Sequence, residues 1–105
     1  MHLSLEFTGR IFHWRGPAPH YFVAVPEQES QDLKAIQHIV TYGWGVIPAR
    51  VQIGQTAFTT SLFPKDGRFL VPIKAAVRKA ERLAEGDEVT VQLEVGGAGR
   101  YRSES

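Results

Sequence analysis

Apolar and polar residues alternate with a period of two in several short runs, the mark of strands with one buried face. Leu3, Leu5 and Phe7 alternate with Ser4, Glu6 and Thr8, and beyond Gly9 the pattern resumes at Ile11 and Phe12. A glycine inside a strand marks a bulge or a sharp bend, as a small barrel needs in order to close. After the turn-rich Arg15-Gly16-Pro17-Ala18-Pro19, the β-prone run Tyr21-Phe22-Val23-Ala24-Val25 is stopped by Pro26. Both of its faces are apolar, so it is expected to be covered on both sides, the outer cover being the helix that follows. Val46 to Ile53 is a third strand, whose Pro48 implies an edge or a bulge near its start. Gly54-Gln55 fits a two-residue hairpin turn into a strand from Thr56, in which Phe58, Thr60 and Leu62 alternate with Thr59 and Ser61. Pro64-Lys65-Asp66-Gly67 turns the chain into Arg68-Phe69-Leu70-Val71, and Val89, Val91, Leu93 and Val95 alternate with Thr90, Gln92 and Glu94 in the last strand.

Two segments have the period of a helix instead. Glu27 to Tyr42 starts with acids in its first turn, at Ser30 or just after Pro26, carries Leu33, Ile36, Ile39 and Val40 at core spacing, and is closed by Gly43; His38 falls on its solvent side. From Pro72 a helix of about three turns places Ile73, Ala76, Val77, Ala80 and Ala84 on one face. Lys74, Arg78, Lys79, Glu81 and Arg82 lie opposite, and Gly86-Asp87 ends it. Six short antiparallel strands avoid exposed edges by curling into a closed barrel, so the fold class is mainly β, with two accessory α-helices.

A chain of 105 residues is one domain. The barrel is expected to occupy residues 1–95, and 96–105, which opens with Gly96-Gly97-Ala98-Gly99 and lacks apolar periodicity, a disordered tail. With no cysteine there is neither a disulfide nor a thiolate metal site, and no apolar run is long enough to span a bilayer. The N-terminal residues lack the basic-then-apolar pattern of a secretory signal, and a cytoplasmic location is expected. A net charge of +1 gives a weak overall field, so any anion site must be local.

The string Gly43-Trp44-Gly45, Arg50-Val51-Gln52-Ile53-Gly54, Thr60-Ser61-Leu62-Phe63-Pro64-Lys65, Gly67 to Lys74, Val77-Arg78-Lys79 and Gly86-Asp87-Glu88-Val89 resembles the bacterial family catalogued as domain of unknown function 1905. The resemblance covers about Leu3 to Val95 and implies a six-stranded Greek-key-type barrel with accessory helices. Relatives sometimes stand alone and sometimes precede a second domain linked by name to bacteriocin protection. The family brings no established catalytic or binding residues. The shorter unit Gly67 to Lys79, with Gly86 to Val89, is similar to the strand-Pro-helix-Gly-Asp-strand unit of swapped-hairpin transition-state regulators, which bind DNA as dimers. Pro pre-setting a helix and Gly-Asp making its exit turn account for that unit locally.

Lys74, Arg78 and Arg82, at an i, i+4, i+8 spacing with Lys79 nearby, would stack cations along one side of the second helix. They form a phosphate or carboxylate platform if Lys65 and Arg68 of the preceding hairpin lie close, and otherwise a solvated face softened by Glu81, Glu85 and Asp87. Trp44 between two glycines, with Tyr42 beside it, is either a plug in one barrel end or a surface against which a ligand can lie. Trp14 is a partner contact or a lid. His2, His13, His20 and His38 are scattered, although His13 and His20 flank the first hairpin, and no metal site or cofactor is expected. Ser61 lacks a nucleophile elbow, and the glycine-rich end is no phosphate loop.

The expected function is therefore a non-catalytic binding or accessory module. It would recognise a small anionic ligand on the Lys65, Arg68, Lys74 and Arg78 side, or a protein partner, as a monomer or weak homodimer without a membrane. A DNA-binding regulator using the same cations is the first alternative; about four phosphate contacts would give log affinity a slope of roughly −3 to −4 against log salt. The second is an enzyme with a site at the barrel mouth near Trp44 and Tyr42.

Overall fold

The computed structural model describes residues 2–15, 20–40 and 46–96. Tyr42, Gly43 and Trp44, the side chains of His38, Ile39 and Val40, and the segment 97–105 lie outside the described residues. The elements are β1 (His2–Trp14), β2 (His20–Ala24), α1 (Glu27–Val40), β3 (Ile47–Ile53), β4 (Thr56–Lys65), β5 (Arg68–Pro72), α2 (Ala75–Glu81) and β6 (Glu88–Gly96). The strands close into an antiparallel barrel in the order β1-β2-β5-β4-β3-β6. Successive hairpins join β3, β4 and β5, and β6 returns through α2 to lie beside β3, which is a Greek key.

Alternation sets which side chains fill the barrel. The registered residues Leu3, Val95, Ala49 and Thr60 form one inward layer, and Leu5, Leu93, Val51 and Phe58 the next. Phe7, Val91 and Ile53 follow, then Ile11, Val23 and Val71. Most of these aliphatic groups are buried. α1 closes the barrel end where β3 and β5 begin, seating Leu33 and Ile36 there. α2 closes the other end with Ile73 and Val77.

Gly9 does what a barrel corner requires. β1 pairs with β6 from His2 to Arg10 and with β2 from Ile11 to Trp14, so the strand changes partner just after this glycine. A Cβ on Gly9 would lie 2.8 Å from Val23 Cγ1, closer than real Cβ atoms come to any neighbour. The β4–β5 turn is Asp66-Gly67, both at positive φ (53° and 80°), the two-residue geometry that matches strand twist. Pro64 and Lys65 thus belong to β4 and not to the turn.

Several expectations are corrected. Pro48 sits in an interior strand, but pairing of β3 with β6 begins only at Ala49, so the missing N–H falls beyond the last pair on that side. The outward Phe22 of β2 packs beside Phe12 and Trp14 and is half-buried, while α1, expected as its cover, packs chiefly on β5 and β3. Pro72 continues β5 opposite Phe22, and Ile73 N–H extends the ladder to Tyr21 O, so α2 begins only at Ala75. It ends at Arg82, whose left-handed backbone (φ 55°, ψ 51°) lets Leu83 N–H reach Arg78 O and Arg82 N–H reach Lys79 O. That early turn brings Leu83 towards the core and leaves Ala76, Ala80 and Ala84 exposed. Gly96, assigned to the tail by composition, is the last residue of β6 and pairs with His2.

Candidate functional site

The cations picked out by spacing do not form one platform. Lys74 is the residue before α2, in extended conformation, and Arg82 is the left-handed residue after it, so Arg78 alone of the three belongs to a helical turn. Lys74 Nζ donates to Thr59 O at 3.2 Å. The Arg78 guanidinium lies 3.8 Å above the Tyr21 ring, which itself stacks on His13 with centroids 4.6 Å apart. Its Nε is buried and has no hydrogen-bond partner among the described residues. Both side chains hold α2 on the barrel wall. Lys65 and Arg68 stand at the opposite end of β5, on the order of 20 Å away at ~3.3 Å per residue.

At that opposite end, the β4–β5 hairpin meets α1. Lys34 and Gln37 of α1 and residues Pro64 to Phe69 enclose a hollow of about 190 Å³. Arg68 Nε donates to Val25 O at 2.9 Å, which fixes the side chain and leaves its terminal nitrogens uncommitted among the described residues. Ser30, fully buried, donates through Oγ to the same carbonyl and accepts from Phe69 N–H, tying the first turn of α1 to the start of β5. Lys65 Nζ lies 3.6 Å from Asp66 and 4.3 Å above the Trp14 ring. The exposed Lys65–Asp66 pair contributes on the order of 0–1 kcal/mol.

Pro64 and Lys65 also line a second hollow, of about 360 Å³, with Trp14, Phe22, Phe63 and Leu70. Trp14 meets Phe22 edge-on, centroids 6.5 Å apart at 74°, and Phe12 of the same strand lies 6.0 Å from Phe22. Phe63 is 44% exposed, the one large hydrophobic side chain so exposed among the described residues. A third hollow, of about 450 Å³, crosses the outer faces of β1, β6, β3 and β4 among Ser4, Glu6, Arg50, Gln52, Gln92 and Glu94. Its charges are mixed, so it does not concentrate one sign of ligand.

Lys65 and Arg68 were thus found by sequence and are brought together, whereas Lys74 and Arg78 are placed elsewhere. Lys34, Gln37, Phe22 and Phe63 were missed. Their one signal is that Leu62-Phe63 and Tyr21-Phe22 put large apolar groups on both faces of a strand, where one face must find a cover. Trp44 and Tyr42 lie outside the described residues. Among the described residues no group of three or more His, Asp or Glu could hold a metal ion, and no helix is long and apolar enough to cross a membrane. No curated protein matches the chain. The family model described as "Domain of unknown function (DUF1905)" matches residues 7–93, nearly the whole barrel, and the chain belongs to that family.

Proposed function

We propose that this domain is a non-catalytic binding module of the bacterial cytoplasm that takes a small anionic ligand in the hollow between α1 and the β4–β5 hairpin. The observation that supports this reading is the convergence of Lys34, Lys65 and Arg68, against the one exposed carboxylate Asp66, on one small hollow. Arg68 is already oriented by Val25 O, so little side-chain freedom is lost when it grips an oxyanion. A carboxylate or a phosphate group suits the size and the fork geometry. The weak overall charge of +1 favours a small anion over a polyanion. Lys74 and Arg78, engaged with Thr59 O and Tyr21, do not extend the cationic surface into a track for DNA. The absence of cysteine and the family resemblance support the bacterial cytoplasm.

The test is a titration of the isotope-labelled full chain with inorganic phosphate and with acetate, followed by amide chemical shifts. Saturable shifts confined to residues 64–69 and to α1 around Lys34 are expected, and Arg68→Ala together with Lys65→Ala should abolish them. Shifts spread equally over Arg10, Lys74, Lys79 and Arg82 would mean unspecific charge attraction and would remove the proposal.

A further inference from the structure

We infer that the anion bound here carries an aromatic ring, and that this ring lies in the adjoining hollow of Trp14, Phe22, Phe63 and Leu70; the inference rests on the anion-binding reading. The two hollows adjoin at Pro64 and Lys65, which line both. The larger one is apolar on every side except that shared lysine, and at about 360 Å³ it is roomier than the ~150 Å³ cavities that take up benzene. Half of its lining side chains are aromatic, and Trp14 and Phe22 already stand edge to face, so an inserted ring extends an existing herringbone.

The lysine fixes how far the acid lies from the ring. Lys65 Nζ is 4.3 Å from the Trp14 centroid, and an oxyanion sits ~2.8 Å from an ammonium, so the acid group is within ~7 Å of the indole. An aryl acid with its charge attached directly or through a short chain meets both requirements. Charge complementarity on one flank of the hollow is what singles out this ligand from a purely apolar partner surface.

Phenyl phosphate, cyclohexyl phosphate and inorganic phosphate separate the possibilities when titrated into the full chain, reading amide shifts and the Trp14 indole N–H, assigned with Trp14→Phe. Phenyl phosphate should bind roughly tenfold more tightly than inorganic phosphate and shift the Trp14 indole, as burial of one ring requires. Trp14→Leu should bring phenyl phosphate down to the affinity of inorganic phosphate while leaving the latter unchanged. Phe63→Ala, at an exposed position, provides the same comparison should Trp14→Leu fail to fold. If all three phosphates shift residues 64–69 with equal affinity, or the cyclohexyl compound matches the phenyl one, the aromatic-ring inference is overturned and the anion site stands. If none shifts residues 64–69, both readings fall together. Loss of the hollow to a second copy, seen as concentration-dependent Trp14 and Phe63 shifts with matching sedimentation of a dimer, also overturns the inference.

Discussion

Replacing Gly9 with alanine should destabilise the barrel through one atom pair. An added Cβ meets Val23 Cγ1 at 2.8 Å, while Ala24 O at 3.5 Å and Phe7 Cε2 at 3.8 Å are at ordinary distances. Val23 is fully buried and packed among the core residues, so it cannot swing into solvent to make room. Overpacking of this kind costs ~1–3 kcal/mol. Restricting the unfolded chain by Gly→Ala returns ~0.4–1 kcal/mol, since Gly9 does not adopt a positive φ. The net loss is therefore about 1–2 kcal/mol, or a fall in Tm of ~5–15 °C for a domain of this size. The assay is urea unfolding of a double-mutant cycle with Val23→Ala. Removing Cγ1 costs on the order of 2 kcal/mol by itself, but in that background Gly9→Ala should be neutral or stabilising, giving a coupling energy of at least ~1 kcal/mol. Equal losses in the two backgrounds would show that the glycine is required for some reason other than close approach, and would refute the account of the β1 corner.

Arg82→Gly should raise stability by ~0.5–1 kcal/mol, because Arg82 is exposed and holds a left-handed conformation that glycine adopts freely; Arg82→Ala in the same thermal melt should be near neutral. Glu81 Oε2 accepts from Gln55 N–H and Thr56 Oγ and sits against Gly54, so Glu81→Ala should cost ~1–2 kcal/mol and speed amide exchange at Gln55. Unchanged exchange there would show that the carboxylate does not hold the hairpin. Ser30→Ala removes the acceptor of the buried Phe69 N–H and should cost ~1–3 kcal/mol by chemical denaturation, whereas Ser30→Thr, which keeps the oxygen, should cost less.

The barrel was legible because its layers repeat a two-residue alternation that survives any uncertainty in strand ends, as in Leu3-Leu5-Phe7 against Val91-Leu93-Val95. The end of α2 was not. Glycine is the usual left-handed residue after a helix, so Gly86 attracted the assignment, but the chain turns at Arg82, four residues earlier, because Leu83 gains more by reaching the core than Ala84 would. The cationic row failed for the same reason, since a spacing of four gives one face only while the helix lasts. The site itself was half legible. Lys65 and Arg68 are hairpin neighbours, whereas Lys34 joins them only through the crossing of α1 over β5, and Trp14 and Phe63 line one hollow only because β2 and β5 pair between their strands.

Closure also decides where recognition can occur on this molecule. The interior layers are filled with aliphatic groups, and α1 and α2 close the two ends, so a ligand must meet the outer wall or the joints between wall and helix. That wall has two distinct halves. Along β1, β6 and β3 the outward row Ser4, Glu6, Gln92, Glu94, Arg50 and Gln52 is hydrophilic and needs no cover. Across β1, β2, β5 and β4 the outward positions are instead Phe12, Trp14, Phe22, Leu70 and Phe63, an apolar row in which Leu70 is buried, Phe12, Trp14 and Phe22 are half-buried and Phe63 is exposed. Its border with α1 is where Lys34, Lys65 and Arg68 gather, so apolar area and positive charge meet along one edge of the barrel. An anion alone would use the charge and leave the aromatic groups wet, and an apolar partner alone would bury Lys65 without a counter-charge. The proposed aryl acid, with both characters, would use the whole edge.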